Sequence, residues 1–368
     1  MSQPAGESID LRTIPHVVEA ARRRLEPDVW DYSCGGADSE TTLRRNRLAF
    51  AGLAFRPRVM RGVVQPSTTA TLLGHPLSLP VALAPVGSIS AFHDDGALAC
   101  ARTAGEVGTA AFVGILSEPA LEDVRAGSDG PLVFQIYLYG DRAWLESLVS
   151  RVEAAGYQAI CLTVDVAAYG RRERDIHNGF HPRRTVERPN LGAASIVLGL
   201  VDDDARNSAA TWGDVRWLRT VTSLPIMVKG VMTGEDARIA VEHGVDVVYV
   251  SNHGGRQLDH LPSTIEILPE VVAAVGGRAE IILDSGIMRG SDVLKALALG
   301  ASVVTIGKLM AWGLAAGGEA GLRRVLELLR IELVTAMTNL GISSFDELDP
   351  SMLHAVSAAA GSVWPANE

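Results

Sequence analysis

PIMVKGV, VDVVYVS, EIILDSG and SVVTIG, at 225–231, 245–251, 280–286 and 302–307, are four apolar runs rich in Val and Ile. Each is short enough for a buried strand, and Ala-, Glu- and Arg-rich stretches of helical character separate them. Working toward the N-terminus, the same rhythm recurs in AICLTVD (159–165), LVFQIYL (132–138), TAAFVG (109–114) and VALAPV (81–86). Runs without polar alternation belong to strands covered on both faces, as in a parallel sheet with crossover helices. Eight strand–helix units over about 250 residues match a (β/α)₈ TIM barrel. A doubly wound open sheet is the rival, and the count of eight favours closure.

The remainder falls around that barrel as one domain, 1–368. An N-terminal extension (1–76) reads as helical from 10 to 50, the barrel occupies 77–348, and 349–368 is a C-terminal tail. The interval 171–224 is too long for a single crossover. It carries RRERDIHNGFHPRR and the acidic run Asp202, Asp203 and Asp204, and it reads as a lid-like loop after strand four or as a disordered spacer.

Bulk properties narrow the function. With 368 residues, 47% of them hydrophobic, the chain can bury a large core. A net charge of −10 and an isoelectric point near 5.4 argue against nucleic acid or an anionic membrane as partner. Three scattered cysteines, Cys34, Cys100 and Cys161, suggest neither a disulfide framework nor a metal site. No secretory pattern opens the chain and no apolar run is long enough to span a bilayer, so the expected location is the cytoplasm.

Chemistry in such a barrel gathers where strands end. The polar residues there are Gln135 and Tyr137, Thr163 and Asp165, Lys229, Ser251 and His253, Asp284, and Lys308. Any one of them is an ordinary strand-end cap; the whole set is not. The sharpest segment is SNHGGRQLDH (251–260). His253 follows a strand directly, two glycines let the backbone approach a ligand, and Arg256 lies three residues on. A histidine takes protons near neutral pH and an arginine clamps a carboxylate through two parallel bonds. The pair suits a substrate bearing both a removable proton and a carboxylate.

SNHGGRQLD, VKGV (228–231), LTVD (162–165), GRRERDIHNGF (170–180), FQIYLYGDR (134–142) and DVLKALALGA (292–301) together resemble the FMN-dependent 2-hydroxy-acid oxidases and dehydrogenases, from about residue 10 to 348. That family has the (β/α)₈ barrel fold. The resemblance implies oxidation of a 2-hydroxy acid to a 2-oxo acid, with reduced FMN passing its electrons to oxygen or another acceptor. Its catalytic set would be His253 as base, Asp165 orienting it, Tyr137 and Lys229. Its substrate contacts would be Tyr32, Tyr137, Arg172, Arg256 and Leu116, with Arg171 in reserve for Arg172. Cofactor contacts would come from Pro85, Val86, Gly87, Gly114, Gln135, Thr163, Lys229 and Ser251 around the ring. Asp284, Ser285, Gly286, Ile287, Met288, Arg289, Gly307 and Lys308 would surround the ribityl and phosphate groups. The resemblance also implies a homo-oligomer, a tetramer. Two rival roles are a tailoring oxidation of an unusual or carrier-bound hydroxy acid, and a flavin-free binding protein on the same barrel.

The sequence departs from that family at named positions. Met288 and Lys308 stand where arginines are usual, and Gly114 where a serine or threonine is usual, so FMN is expected to be held more loosely. Leu116 replaces the tryptophan of glycolate oxidase, which predicts room for an apolar or aromatic side chain. Gly87 is the residue of the dehydrogenases, where oxidases tend to carry alanine.

Overall fold

The computed structural model describes residues 11–180, 188–191 and 210–357. Eight strands close into a parallel barrel: β4 (Val81–Leu83), β5 (Ala111–Gly114), β6 (Leu132–Ile136), β7 (Ala159–Thr163), β8 (Ile226–Val231), β9 (Val247–Val250), β10 (Glu280–Leu283) and β11 (Val303–Ile306). Neighbours in the ring are neighbours in sequence, and β11 closes onto β4 with Val304 opposite Val81. The open-sheet alternative is therefore excluded. All eight apolar runs contain a strand, each shorter than its run.

Side chains two apart on a strand share a face. On the outward face, Phe134, Ile160, Val228, Val248, Leu283 and Val304 pack in the main core beneath the helices. Within the barrel, Phe112, Val133, Cys161, Met227, Tyr249, Ile282 and Val303 form a separate apolar layer. Two residues further along come the buried polar groups Gln135, Thr163, Lys229, Ser251, Asp284 and Thr305. The interior is thus apolar below and polar above, at the end where the strands finish.

The N-terminal extension is mostly scaffold. A hairpin of β2 (Ala70–Leu72) and β3 (His75–Leu77) joins the inner apolar layer through Leu72 and Leu77 and closes the far end of the barrel. The helix Ile14–Arg24, capped by Thr13, packs against the long helix Lys308–Leu340. β1 (Leu53–Phe55) pairs with β12 (Leu353–Ala355), so part of the sequence expected as tail belongs to the fold. Of the interval 171–224, the helices Glu173–Asn178 and Trp212–Val221 are described, and the latter leads into β8. Asp202, Asp203 and Asp204 lie outside the described residues, as do 181–187. No described helix is long and apolar enough to cross a membrane.

Candidate active site

A cavity opens at the polar end of the barrel. β9 delivers Ser251 and then His253, whose φ of +57° is rare for a residue with a side chain. The turn is held by the Ser251 hydroxyl, which accepts from the His253 amide at 3.1 Å, and by Ser285 Oγ, which accepts from the Gly254 amide at 2.9 Å. His253 Nδ1 lies 3.0 Å from Asp165 Oδ1. With Nδ1–H donating there, Nε2 is left as the basic atom. Asp165 approaches because β8 bulges at Gly230 (φ +114°), where a Cβ would come 2.7 Å from the Asp165 Cβ.

Charges fix the protonation states. Burial lowers the His253 pKa; Asp165 opposes this, while Lys229 and Arg172 add to it, so the imidazole is neutral and ready to accept a proton. Burial acts to raise the Asp165 carboxyl, but His253 and Lys229 outweigh it and hold it below the usual range. Lys229 Nζ donates to Ser251 Oγ at 2.7 Å and stands 3.4 Å from Asp284 Oδ2. Burial alone would lower its pKa, yet Asp284 and Asp165 raise it, so a full cation faces the cavity.

Arg172 and Arg256 also reach the cavity, as do Tyr32, Tyr137 and Leu116. Arg172 is buried while Arg171 is exposed, which separates the two. Arg172 donates to Tyr169 Oη at 2.6 Å, to the Arg256 carbonyl at 3.2 Å and to Gln257 Oε1 at 3.2 Å. Arg256 donates to the carbonyls of Tyr32 (2.6 Å) and Gly35 (2.9 Å). Its guanidinium lies 4.8 Å from the centre of the Tyr32 ring. Burial and then the Arg256 charge lower the Arg172 pKa, a penalty that a carboxylate between the two would relieve.

Elsewhere the cavity is walled by Pro85, Val86, Gly87, Asp284, Ser285, Gly286, Ile287, Met288, Gly307 and Lys308, all residues that the resemblance assigns to the cofactor. Gly114, Gln135, Thr163 and Ser251 do not line it. Gln135 Nε2 donates to Thr163 Oγ1 at 2.9 Å, and this buried polar layer sits beside Lys229 rather than in the wall. Arg289, which the resemblance assigns to the phosphate end, does not line the cavity. Met288 turns inward and is buried, whereas adjacent Arg289 turns outward into an ion pair with Glu332 at 2.9 Å, because consecutive residues entering a helix diverge. Lys308 reaches the cavity with its Nζ held by the carbonyls of Cys34 (2.6 Å) and Gly35 (3.2 Å).

The second half of SNHGGRQLD is scaffold. Gly255 packs on the chain itself, since a Cβ there would meet the Leu43 nitrogen at 2.6 Å, so only Gly254 of the two glycines borders the cavity. Asp259 accepts from the Thr42 and Thr41 amides at 2.7 and 3.1 Å, capping the helix Thr41–Ala51. Asn46 and Asn252 exchange amide hydrogen bonds of 2.9 and 2.8 Å. That helix therefore forms one wall and contributes Arg44 and Arg47, which sequence reasoning missed. The only available signal was their spacing of three on one helical face.

The sequence model of the FMN-dependent dehydrogenase family matches residues 21–355. The chain belongs to that family. It is an FMN-dependent oxidoreductase of the 2-hydroxy-acid oxidase and dehydrogenase type, acting on CH–OH. An L-lactate oxidase from a Nostoc species is 43% identical over 350 residues, spanning 91% of this chain and 96% of that protein. The solved structure of a mandelate oxidase superposes with a TM-score of 0.86 at 40% identity, over 93% of this chain and 97% of the other. A soluble mutant of the membrane-associated (S)-mandelate dehydrogenase from Pseudomonas putida superposes with a TM-score of 0.89 at 34% identity, over 94% and 100%. The cavity suits the cofactor of that family. It offers the Lys229 cation, the cationic Arg47 with a buried Nε that has no partner among the described residues, and backbone at Gly286 and Gly307.

Proposed function

We propose that this enzyme oxidises a 2-hydroxy acid with an apolar or aromatic side chain, His253 acting as the base. The observation that carries the reading is the His253–Asp165 pair opening on the same cavity as Lys229, Arg172 and Arg256. Arg172 and Arg256 hold the substrate carboxylate, and Tyr32 and Tyr137 reach its hydroxyl. His253 Nε2 takes a proton from the carbinol group, and Asp165 stabilises the imidazolium that results. Two electrons and two protons leave the substrate, giving the 2-oxo acid; FMN, when bound, supplies the electron-accepting chemistry. Lys229, Pro85, Val86 and Gly87 would hold its ring end, backed by Gln135, Thr163 and Ser251. Gly286 to Met288 and Gly307 would hold its other end.

Size preference follows from the wall. Leu116 is buried against Gly87, and with Phe92, Tyr32 and Tyr137 it presents an apolar surface rather than a small polar slot. The mandelate-acting relatives support an aromatic substrate. A panel of 2-hydroxy acids, mixed anaerobically with the holoenzyme and read by flavin bleaching, tests this. Mandelate and aliphatic acids with branched side chains should bleach faster than glycolate. Glycolate as the best substrate would overturn the size argument, and no bleaching by any 2-hydroxy acid would overturn the reading.

A further inference from the structure

The end of the cavity near Gly286 and Gly307 is short of free positive charge at the positions expected to carry it. Met288 is neutral. Arg289 points away and pairs with Glu332. Lys308 Nζ already donates to two backbone carbonyls. A phosphate group with between one and two negative charges needs cationic donors as well as amides.

Two guanidinium groups border the same cavity from the helix that packs on Gly286, where a Cβ would come 2.8 Å from the Asn46 carbonyl oxygen. Arg44 and Arg47 lie three apart on the helix Thr41–Ala51, so they share a face. The helix cannot drift: Asp259 caps its start, and the Asn46–Asn252 pair locks its middle to the loop that carries His253. Arg47 is half-buried and donates to the Gly286 carbonyl and, at 2.7 Å, to Asp292 Oδ2, which aims it at the backbone between β10 and the helix Gly290–Ala298. Its Nε is buried without a partner among the described residues. Arg44 has no ion pair or side-chain hydrogen bond among the described residues, and it sits at the cavity's solvent edge. Asp292 is engaged by Arg47 and by the amides of Met288 and Arg289, both at 3.0 Å.

We infer that Arg44, with Arg47 behind it, supplies the cationic contact to the FMN phosphate that Met288 does not make. The N-terminal helix thereby becomes part of the cofactor site, and the phosphate is bound between that helix and the loop after β10. Arg47 also braces the Gly286 loop, so its replacement would disturb the wall itself; Arg44 carries no such duty. The inference rests on the reading that the Gly286–Met288 end of the cavity takes the phosphate.

The test compares FMN with riboflavin, which differ only in the phosphate. Full-length protein freed of flavin is titrated with each, and binding is read by quenching of flavin fluorescence. One charge-assisted contact corresponds to about ten- to a hundredfold in affinity, and the exposed position of Arg44 places it near the lower figure. Arg44→Gln should weaken FMN about tenfold while leaving riboflavin unchanged. Added Met288→Arg should restore FMN binding, and Arg289→Ala should change neither flavin. Unchanged FMN affinity in Arg44→Gln would overturn the proposal, and so would an equal loss for both flavins, which marks a structural effect. If Met288→Arg alone also leaves the preference for FMN over riboflavin unchanged, the phosphate lies elsewhere and the site reading itself fails.

Discussion

Replacing Asp165 by asparagine isolates what the buried carboxylate does for His253. The amide oxygen can still accept from Nδ1–H across the 3.0 Å contact, so the ring keeps its orientation and loses only the charge. With charge centres about 4 Å apart and an effective dielectric near 20, the lost attraction to the imidazolium is about 4 kcal/mol at most. The new NH₂ takes the place of Oδ2, a buried atom with no hydrogen-bond partner among the described residues, which adds a desolvation penalty common to both protonation states of His253. The step that protonates His253 should therefore slow by about two to three orders of magnitude. The sign of the pH effect is separately fixed. His253 acts as a base only when neutral, and Asp165 works to raise its pKa. Removing the carboxylate lowers the pKa further, so the acid limb of kcat/KM moves to lower pH as the plateau falls. Anaerobic stopped-flow reduction across pH, on enzyme whose flavin content matches wild type, reads both quantities. A plateau equal to wild type, or an acid limb that moves upward, would refute the reasoning.

His253→Ala should retain flavin yet reduce it about 10²–10⁴-fold more slowly; wild-type anaerobic bleaching would end its assignment as base. Gly87→Ala tests the electron acceptor: the added Cβ would sit 3.2 Å from that of Leu116, forcing a small shift there. We expect the wild type to turn over faster with an artificial dye than with oxygen, and this variant to narrow the gap; equal wild-type rates with both would contradict it. Burial, followed by the Arg256 charge, pushes Lys308 down to about 7 from its ordinary 10.5. Between those values the unfolded chain binds the extra proton, so the stability of flavin-free protein should rise with pH across that window. Lys308→Met should flatten the rise in thermal melts, and an unaltered slope would show that the lysine is not desolvated.

The barrel was legible because its evidence is repetitive. Eight buried runs each had to satisfy their backbone groups with neighbours, and the intervals allowed only crossover connections. His253, Asp165 and Lys229 stand in or just after an apolar run, whereas Arg172, seven residues past LTVD, was singled out only by the resemblance of GRRERDIHNGF. The preference for Arg172 over Arg171 came from the same resemblance; in the fold Arg172 is buried and Arg171 exposed. The pairing of β1 with β12 was not legible, since three-residue strands carry no periodicity.

What the sequence determined by itself is the class of fold and the kinds of groups at its polar end, because hydrophobic period and residue type are local properties. The tertiary structure decided direction and partnership. Met288 and Arg289 are adjacent in the chain, yet one enters the cavity and the other faces Glu332. Lys308 keeps its charge in the sequence but meets two carbonyls in space. Arg44 and Arg47 come from a helix more than 200 residues from the loop they face, brought there by Asp259 and Asn252. A side chain's charge is written in its letter, but what that charge meets depends on contacts between segments remote in the chain.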